Sequence, residues 1–159
     1  MPHRLAYLGP PGTFSEEAAL KYAPKAQRVP FISIPAVAEA VRSGMTEEGV
    51  VPIENSLEGS VTDTLDLLIE ESGLQIRHEL TVPIQHCLLA LPTVQADAIQ
   101  AVYSHPQALA QCERFLRELE GVEIVASYDT AGSVKMIQES ELKDAASVAS
   151  ARAAEVFGL

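Results

Sequence analysis

Short apolar runs alternate along this chain with segments whose apolar residues recur every three or four positions. The runs, bounded by turn-forming residues, predict strands at Arg4–Leu8, Val29–Ile32, Gly49–Ile53, Ile76–Thr81, His86–Leu91, Ala101–Tyr103, Glu123–Ser127 and Ala145–Ala149. The wider spacing predicts helices at Ser15–Tyr22, Pro35–Ser43, Thr62–Glu71, Gln107–Leu119, Ala131–Gln138 and Ala151–Phe157. In Gln107–Leu119 the residues Leu109, Cys112, Leu116 and Leu119 share one helical face. Strand–helix alternation of this kind predicts an α/β protein with largely parallel sheets. Between Glu79 and His86 two extended runs follow each other, broken only by Pro83. An extended crossing suits passage from one sheet to another, so the chain is expected to form two lobes, 1–80 and 81–159.

A length of 159 residues suits one domain or two such small lobes. With 47% hydrophobic and 21% charged residues the composition is that of a globular protein. No window is long and apolar enough to span a bilayer, and the opening MPHRLAYLGPPG has no signal-peptide core. The expectation is a cytoplasmic protein without a membrane partner. A net charge of −11 argues against nucleic acid, whose phosphates attract Lys and Arg. It leaves a small anionic ligand open, because helix N-termini act at short range. Cys87 and Cys112 match no metal or redox spacing and read as free thiols. His3, His78, His86 and His105 form no metal pattern, so no metal is expected. Phosphate-loop and dinucleotide fingerprints are absent from the sequence; Gly9-Pro10-Pro11-Gly12 lacks the needed glycine spacing.

Candidate chemistry gathers where strands end. Leu8 is followed by GPPGTFSEE, Ile53 by ENSLEGSVTD, Tyr103 by SHPQ and Tyr128 by DTAGS. Each time a predicted strand gives way to Gly, Ser, Thr, Asn or Asp before a helix. The first N–H groups of a helix have no internal partner and can bind either a capping side chain or an anion. Thr13 with Glu16 fits a capping box and Ser60 with Asp63 loosely resembles one. Asp129 and Ser104 are N-cap types, and Pro106 suits a first helical turn. Glu54, Asn55, His105 and Gln111 exceed what capping requires. Each also has a plain reading: a solvated acid, a turn former, a surface histidine and a solvent-facing glutamine. Spacing alone gives an α/β protein with a plausible anion site.

Four segments together are more specific. Leu8–Ala19 (LGPPGTFSEEAA), Val51–Val61 (VPIENSLEGSV), Tyr103–Cys112 (YSHPQALAQC) and Asp129–Ile137 (DTAGSVKMI) resemble the prephenate dehydratase family. They come in that family's order and spacing, and Leu142–Ser150 (LKDAASVAS) resembles the segment that follows. The resemblance implies two α/β lobes like a type 2 periplasmic binding protein, with a ligand cleft between them. It implies conversion of prephenate to phenylpyruvate, CO2 and water in phenylalanine biosynthesis. It also implies no metal or organic cofactor, and a homodimer. By similarity Asn55, Ser104 and Gln111 contact substrate, with Glu54 nearby as an orienting or electrostatic group. His105 belongs to the same cluster, Thr13 and Ser15 open a helix facing the cleft, and Thr130 joins an anion-holding turn. Thr13 and Thr130 stay open to the reading as caps.

The implied reaction suits such residues. The ring carboxylate of prephenate leaves as CO2 while the ring hydroxyl departs, so charge moves toward that hydroxyl. Neutral donors aimed there help more than a cation clamped on the leaving carboxylate. The family pattern continues into a Thr-Arg-Phe motif, whose threonine is central to catalysis, and commonly into a regulatory ACT domain. Neither stands in this sequence. The chain is therefore expected to be a C-terminally truncated catalytic domain, less stable than the complete one and with little or no activity alone. Two rival readings use the same scaffold: a non-catalytic binder of aromatic or keto acids, and an arogenate dehydratase.

Overall fold

A computed structural model describes residues 3–70 and 73–159. The fold is mixed α/β and groups into two compact units, Met1–Pro10 with Phe14–Val82, and Pro11–Thr13 with Pro83–Leu159. Pro11–Thr13, which the division by sequence leaves in the first lobe, groups with the second unit.

The first unit is built on β1 (Arg4–Leu8), α1 (Phe14–Tyr22), β2 (Gln27–Phe31), α2 (Ile34–Arg42) and β3 (Glu48–Val50). The strands are parallel in the order β2-β1-β3. The central strand shows the two-residue alternation of a pleated backbone. Leu5 and Tyr7 pack with Ala19 of α1 and Ala26, whereas Ala6 packs with Val37 and Ala40 of α2. Both faces are covered, which is why β1 reads as a continuous apolar run. Ser33 caps α2, its Oγ accepting from Ala36 N at 3.3 Å, and Pro35 fits the first turn.

Two expectations here need correction. The strand predicted at Gly49–Ile53 pairs only as far as Val50. Beyond it, Glu54–Asn55 (β4) and Gly59–Ser60 (β5) form an antiparallel hairpin that leads into α3 (Thr62–Glu70). Glu, Asn, Gly and Ser are poor strand formers, so the turn rather than propensity closes this ladder. Glu71, the expected last residue of that helix, lies outside the described residues. The strand predicted at Ile76–Thr81 does not form. Arg77, His78 and Glu79 are exposed and the segment has no ladder among the described residues. Side chains tie it down instead: Lys21 Nζ donates to Thr81 O at 2.7 Å, and Tyr22 Oη lies 3.0 Å from His78 Nδ1.

The second unit contains β6 (His86–Leu89), a 3-10 turn at Ala96–Ala98, β7 (Ala101–Ser104), α4 (Pro106–Gln111) and α5 (Glu113–Leu116). It continues with β8 (Glu123–Ala126), α6 (Thr130–Glu139), β9 (Ala145–Ser150) and α7 (Ala151–Phe157). The sheet order is β6-β9-β7-β8, with β6 antiparallel to β9 and the other pairings parallel. All six residues of β9 are buried. One core holds Val102, Leu109, Leu116, Ala146 and Val148, and another holds Val134, Ala149 and Ala153. The small side chains of β9 let helices approach both faces.

The single helix expected over Gln107–Leu119 is interrupted. Cys112 N–H is shared between the carbonyls of Ala108 and Leu109, each at 3.1 Å, and Cys112 leaves helical geometry at ψ 7°. The predicted apolar face survives: Leu109 and Leu116 are in the core, with Cys112 and Leu119 packed against it. The segment keeps its periodicity while losing its straightness.

Candidate active site

In the second unit, the carboxyl ends of β7, β8 and β9 lie along one edge, because these strands run parallel. β6 runs the other way and therefore begins at the same edge, with His86 opposite Ser150. Three helices start there, each behind its own cap. His105 Nδ1 accepts from Gln107 N at 3.3 Å before α4. Asp129 Oδ1 accepts from Gly132 N before α6. Ser150 Oγ accepts from Ala153 N at 3.0 Å before α7. Helix starts of this kind give an edge a positive field without any net charge.

The sequence-predicted residues meet this edge in different ways. Ser104 is fully buried and donates its hydroxyl to Val148 O at 2.6 Å, pinning β7 to β9. It is not the cap of α4; that position falls to His105, whose ring proton consequently sits on Nε2 when the imidazole is neutral. Thr130 is the first residue of α6 and does not cap it, since Asp129 does. The Thr130 hydroxyl is half-buried and forms no hydrogen bond among the described residues. Gln111 ends α4, and its Oε1 lies 2.8 Å from His86 Nε2. Thr13 belongs to this unit through the GPPG loop. Ser150 Oγ donates to Gly12 O at 2.7 Å while accepting from α7. Gly12 has φ +88°, and a Cβ there would stand 3.0 Å from Ala153 Cα. Only glycine suits that close approach.

Around Asp129 the hydroxyls form a dense net. Ser133 Oγ donates to Asp129 O at 2.8 Å, and the Ser127 and Ser133 hydroxyls bond to each other. Gly132 is needed here as well, because a Cβ would lie 2.6 Å from Asp129 Oδ2. The turn is thus held by its own side chains, with Thr130 at its tip.

Glu54, Asn55 and Ser15 belong to the first unit. They too follow carboxyl ends of parallel strands: Ser15 lies in the first turn of α1, after β1, while Glu54 and Asn55 follow β3. Asn55 does what a turn former does. Its Oδ1 accepts from Leu57 N at 2.9 Å, and its carbonyl accepts from Glu58 N at 3.2 Å. Its carboxamide nitrogen has no hydrogen-bond partner among the described residues. The turn and the ligand readings are therefore compatible, because the turn uses the oxygen and presents the NH2. Glu54 is exposed opposite Ser60 in the two-residue ladder. Thr64, buried in α3, donates to Pro52 O at 2.6 Å and fixes the hairpin against the helix.

Ser150, Ser127, Ser133 and His86 were not selected from sequence. Ser150 has the same strand-end position as the others and could have been found by that rule. His86 carries no local signal, since its partner Gln111 lies 25 residues away. Cys87 and Cys112 are free. Burial pushes the Cys112 thiol above its ordinary pKa, which disfavours a nucleophilic role. No group of three or more His, Cys, Asp or Glu among the described residues is arranged to hold a metal ion. No described helix is long and apolar enough to cross a membrane.

The family model described as prephenate dehydratase matches residues 5–159. An Arabidopsis thaliana protein named arogenate dehydratase/prephenate dehydratase 6, chloroplastic, is 44% identical over 158 residues, covering 98% of this chain and 38% of the relative. A solved prephenate dehydratase from Arthrobacter aurescens in complex with L-Phe superposes with TM-score 0.87 at 35% identity, covering 96% of this chain and 52% of that one. Another solved chain, described as GqqA, a novel type of quorum quenching acylases, gives TM-score 0.90 at 35% identity, over 98% of this chain and 56% of that one. The chain thus spans about two-fifths of that curated relative's length. With the family model covering the residues that build both strand-end clusters, the chain belongs to the prephenate dehydratase family.

Proposed function

We propose that this chain supplies the catalytic part of a dehydratase acting on prephenate. The carbon–carbon bond to the ring carboxylate breaks, its electrons enter the ring, and the ring carbon–oxygen bond breaks. The departing oxygen takes up a proton, so the products are phenylpyruvate, CO2 and water. The observation that carries this reading is that, in a chain of this family, neutral donors without a partner among the described residues follow strand ends in each unit: the Asn55 carboxamide nitrogen in the first and the Thr130 hydroxyl in the second. Such donors stabilise charge developing on the leaving hydroxyl without trapping the carboxylate that must leave. Ser104 acts in this scheme from within, by fixing the end of β7. Glu54 is an orienting acid beside Asn55. The two-lobed scaffold of a type 2 periplasmic binding protein belongs to the same proposal.

The second reading is arogenate, which bears an amino group where prephenate has its keto oxygen. The names of the Arabidopsis relatives favour it, since they include arogenate dehydratase. Both substrates offered separately, with phenylpyruvate and phenylalanine quantified, decide between them. Tight binding of either without product favours the competing reading of a non-catalytic binder, and neither binding nor product refutes all of these readings.

A further inference from the structure

We propose, resting on the dehydratase reading above, that the aromatic ring of Tyr128 packs against the substrate's ring. Tyr128 stands between the end of β8 and Asp129, the N-cap of α6, at the edge where β7, β8 and β9 end. Its side chain is 95% exposed. Its backbone is nonetheless held on both sides. Ser127 N donates to Ser104 O at 2.8 Å before it, and Ser133 Oγ donates to Asp129 O at 2.8 Å after it. The Ser127 and Ser133 hydroxyls, bonded to each other, close the turn across Tyr128. Two residues on is Thr130, whose hydroxyl has no hydrogen-bond partner among the described residues. An anchored aromatic residue and an open hydroxyl thus stand at the start of one helix.

Local folding gives the exposed ring no role. An apolar residue just before an N-cap commonly packs on the fourth residue of its helix. In α6 that residue is Ser133, which is buried and bonded to Asp129 and Ser127, so this packing is not made. The first unit repeats the arrangement. β2 and β8 are each the second parallel strand of their unit and lie at an edge of its sheet. Ile32 follows β2 directly before Ser33, the cap of α2, and is 98% exposed. Ile32 and Tyr128 are the two most exposed large apolar side chains among the described residues. One such residue on a surface needs no explanation. The same exposure after the equivalent strand of both units falls where α/β sheets take their ligands.

The proposed reaction gives the Tyr128 ring a use. The substrate's cyclohexadiene ring is apolar and becomes aromatic as CO2 and water leave. Aromatic pairs are favoured beyond the area they bury, so contact with the Tyr128 ring strengthens during that step. The contact needs the aromatic ring of Tyr128 and not its hydroxyl. Prephenate and arogenate carry the same ring, so the contact serves either.

The test measures kcat, KM and melting for wild type, Tyr128→Ser and Tyr128→Phe in the full natural chain, with prephenate and arogenate offered separately. Tyr128→Ser should lose about tenfold in kcat/KM. Its melting point should be nearly unchanged, because so exposed a side chain buries little in the fold. Tyr128→Phe should stay within about threefold of wild type. The loss in Tyr128→Ser should be the same factor for every substrate that wild type turns over. Unchanged kcat/KM in Tyr128→Ser overturns the proposal. A loss in Tyr128→Phe as large as in Tyr128→Ser overturns it by assigning the role to the hydroxyl. A loss confined to one of two accepted substrates overturns it by placing Tyr128 away from the ring. A loss matched by a fall in melting point overturns it by making the role structural. Absent wild-type turnover of both substrates refutes the functional reading and this inference with it. Normal wild-type turnover beside an unaffected Tyr128→Ser refutes this inference alone.

Discussion

Replacing Ser150 with alanine removes one oxygen that serves two partners. In the folded chain that hydroxyl donates to Gly12 O at 2.7 Å and accepts from Ala153 N at 3.0 Å, and the residue is 1% exposed. Alanine fits the same space, so neither a cavity of consequence nor a clash enters the comparison. Losing an N-cap acceptor costs about 1 kcal/mol. Losing a hydrogen bond to a buried carbonyl costs about another 1–2 kcal/mol. The expected loss is therefore about 2–3 kcal/mol, a visible fraction of the roughly 5–15 kcal/mol that stabilises a domain. Urea unfolding followed by circular dichroism reads it as a lower midpoint with an unchanged slope. Gly12→Ala should be at least as severe. Its left-handed φ costs about 1–2 kcal/mol, and overpacking against Ala153 adds about 1–3 kcal/mol. A Ser150→Ala loss below about 0.5 kcal/mol would refute the view that this hydroxyl joins the GPPG loop to α7.

Other substitutions separate turn, cap and donor. Asn55→Asp keeps the oxygen that accepts from Leu57 N but loses the NH2; turnover in the full natural chain should fall about a hundredfold with the melting point nearly unchanged. A large melting loss with normal turnover per folded molecule would leave Asn55 as a turn former only. Gly132→Ala should displace the Asp129 cap and cost about 1–2 kcal/mol in urea unfolding; if Asp129→Ala then adds its full separate effect, the two do not share one cap. The backbone N–H of Arg4 donates to Glu47 Oε2 at 2.7 Å and, with Glu47's own N–H, lowers that carboxyl's pKa from its ordinary value. A lowered folded-state pKa contributes stability above the unfolded value that disappears as pH falls through the folded value. Glu47→Gln should therefore flatten the acid limb of stability below about pH 4.5, and parallel acid limbs would contradict this.

Much of the scaffold was legible in sequence, for identifiable reasons. β1, covered on both faces, reads as an unbroken apolar run, and β9 announces itself as a string of small buried residues. The helix starts were legible because caps obey local chemistry: Asp129 and Pro106 stand where single-residue rules put them. What failed depends on partners distant in sequence. Ile76–Thr81 has strand-like composition at its ends, yet it meets Lys21 and Tyr22 side chains instead of a ladder. Glu54–Asn55 pairs despite poor propensity because a turn a few residues on returns Gly59 to it. At the site, the predicted residues separate into two kinds that sequence could not distinguish. Ser104 spends its proton on Val148 O inside the sheet, whereas the Thr130 hydroxyl and the Asn55 nitrogen have no hydrogen-bond partner among the described residues. The pairing of His86 with Gln111 is invisible without the antiparallel return of β6 beside β9.

The measurement closest to the central claim is product formation from prephenate and from arogenate, each incubated with the chain and with any native sequence that continues it. Phenylpyruvate or phenylalanine should form, released with CO2, and Asn55→Asp should sharply reduce that product. Substrate bound tightly by wild type with no product from either compound would contradict that claim.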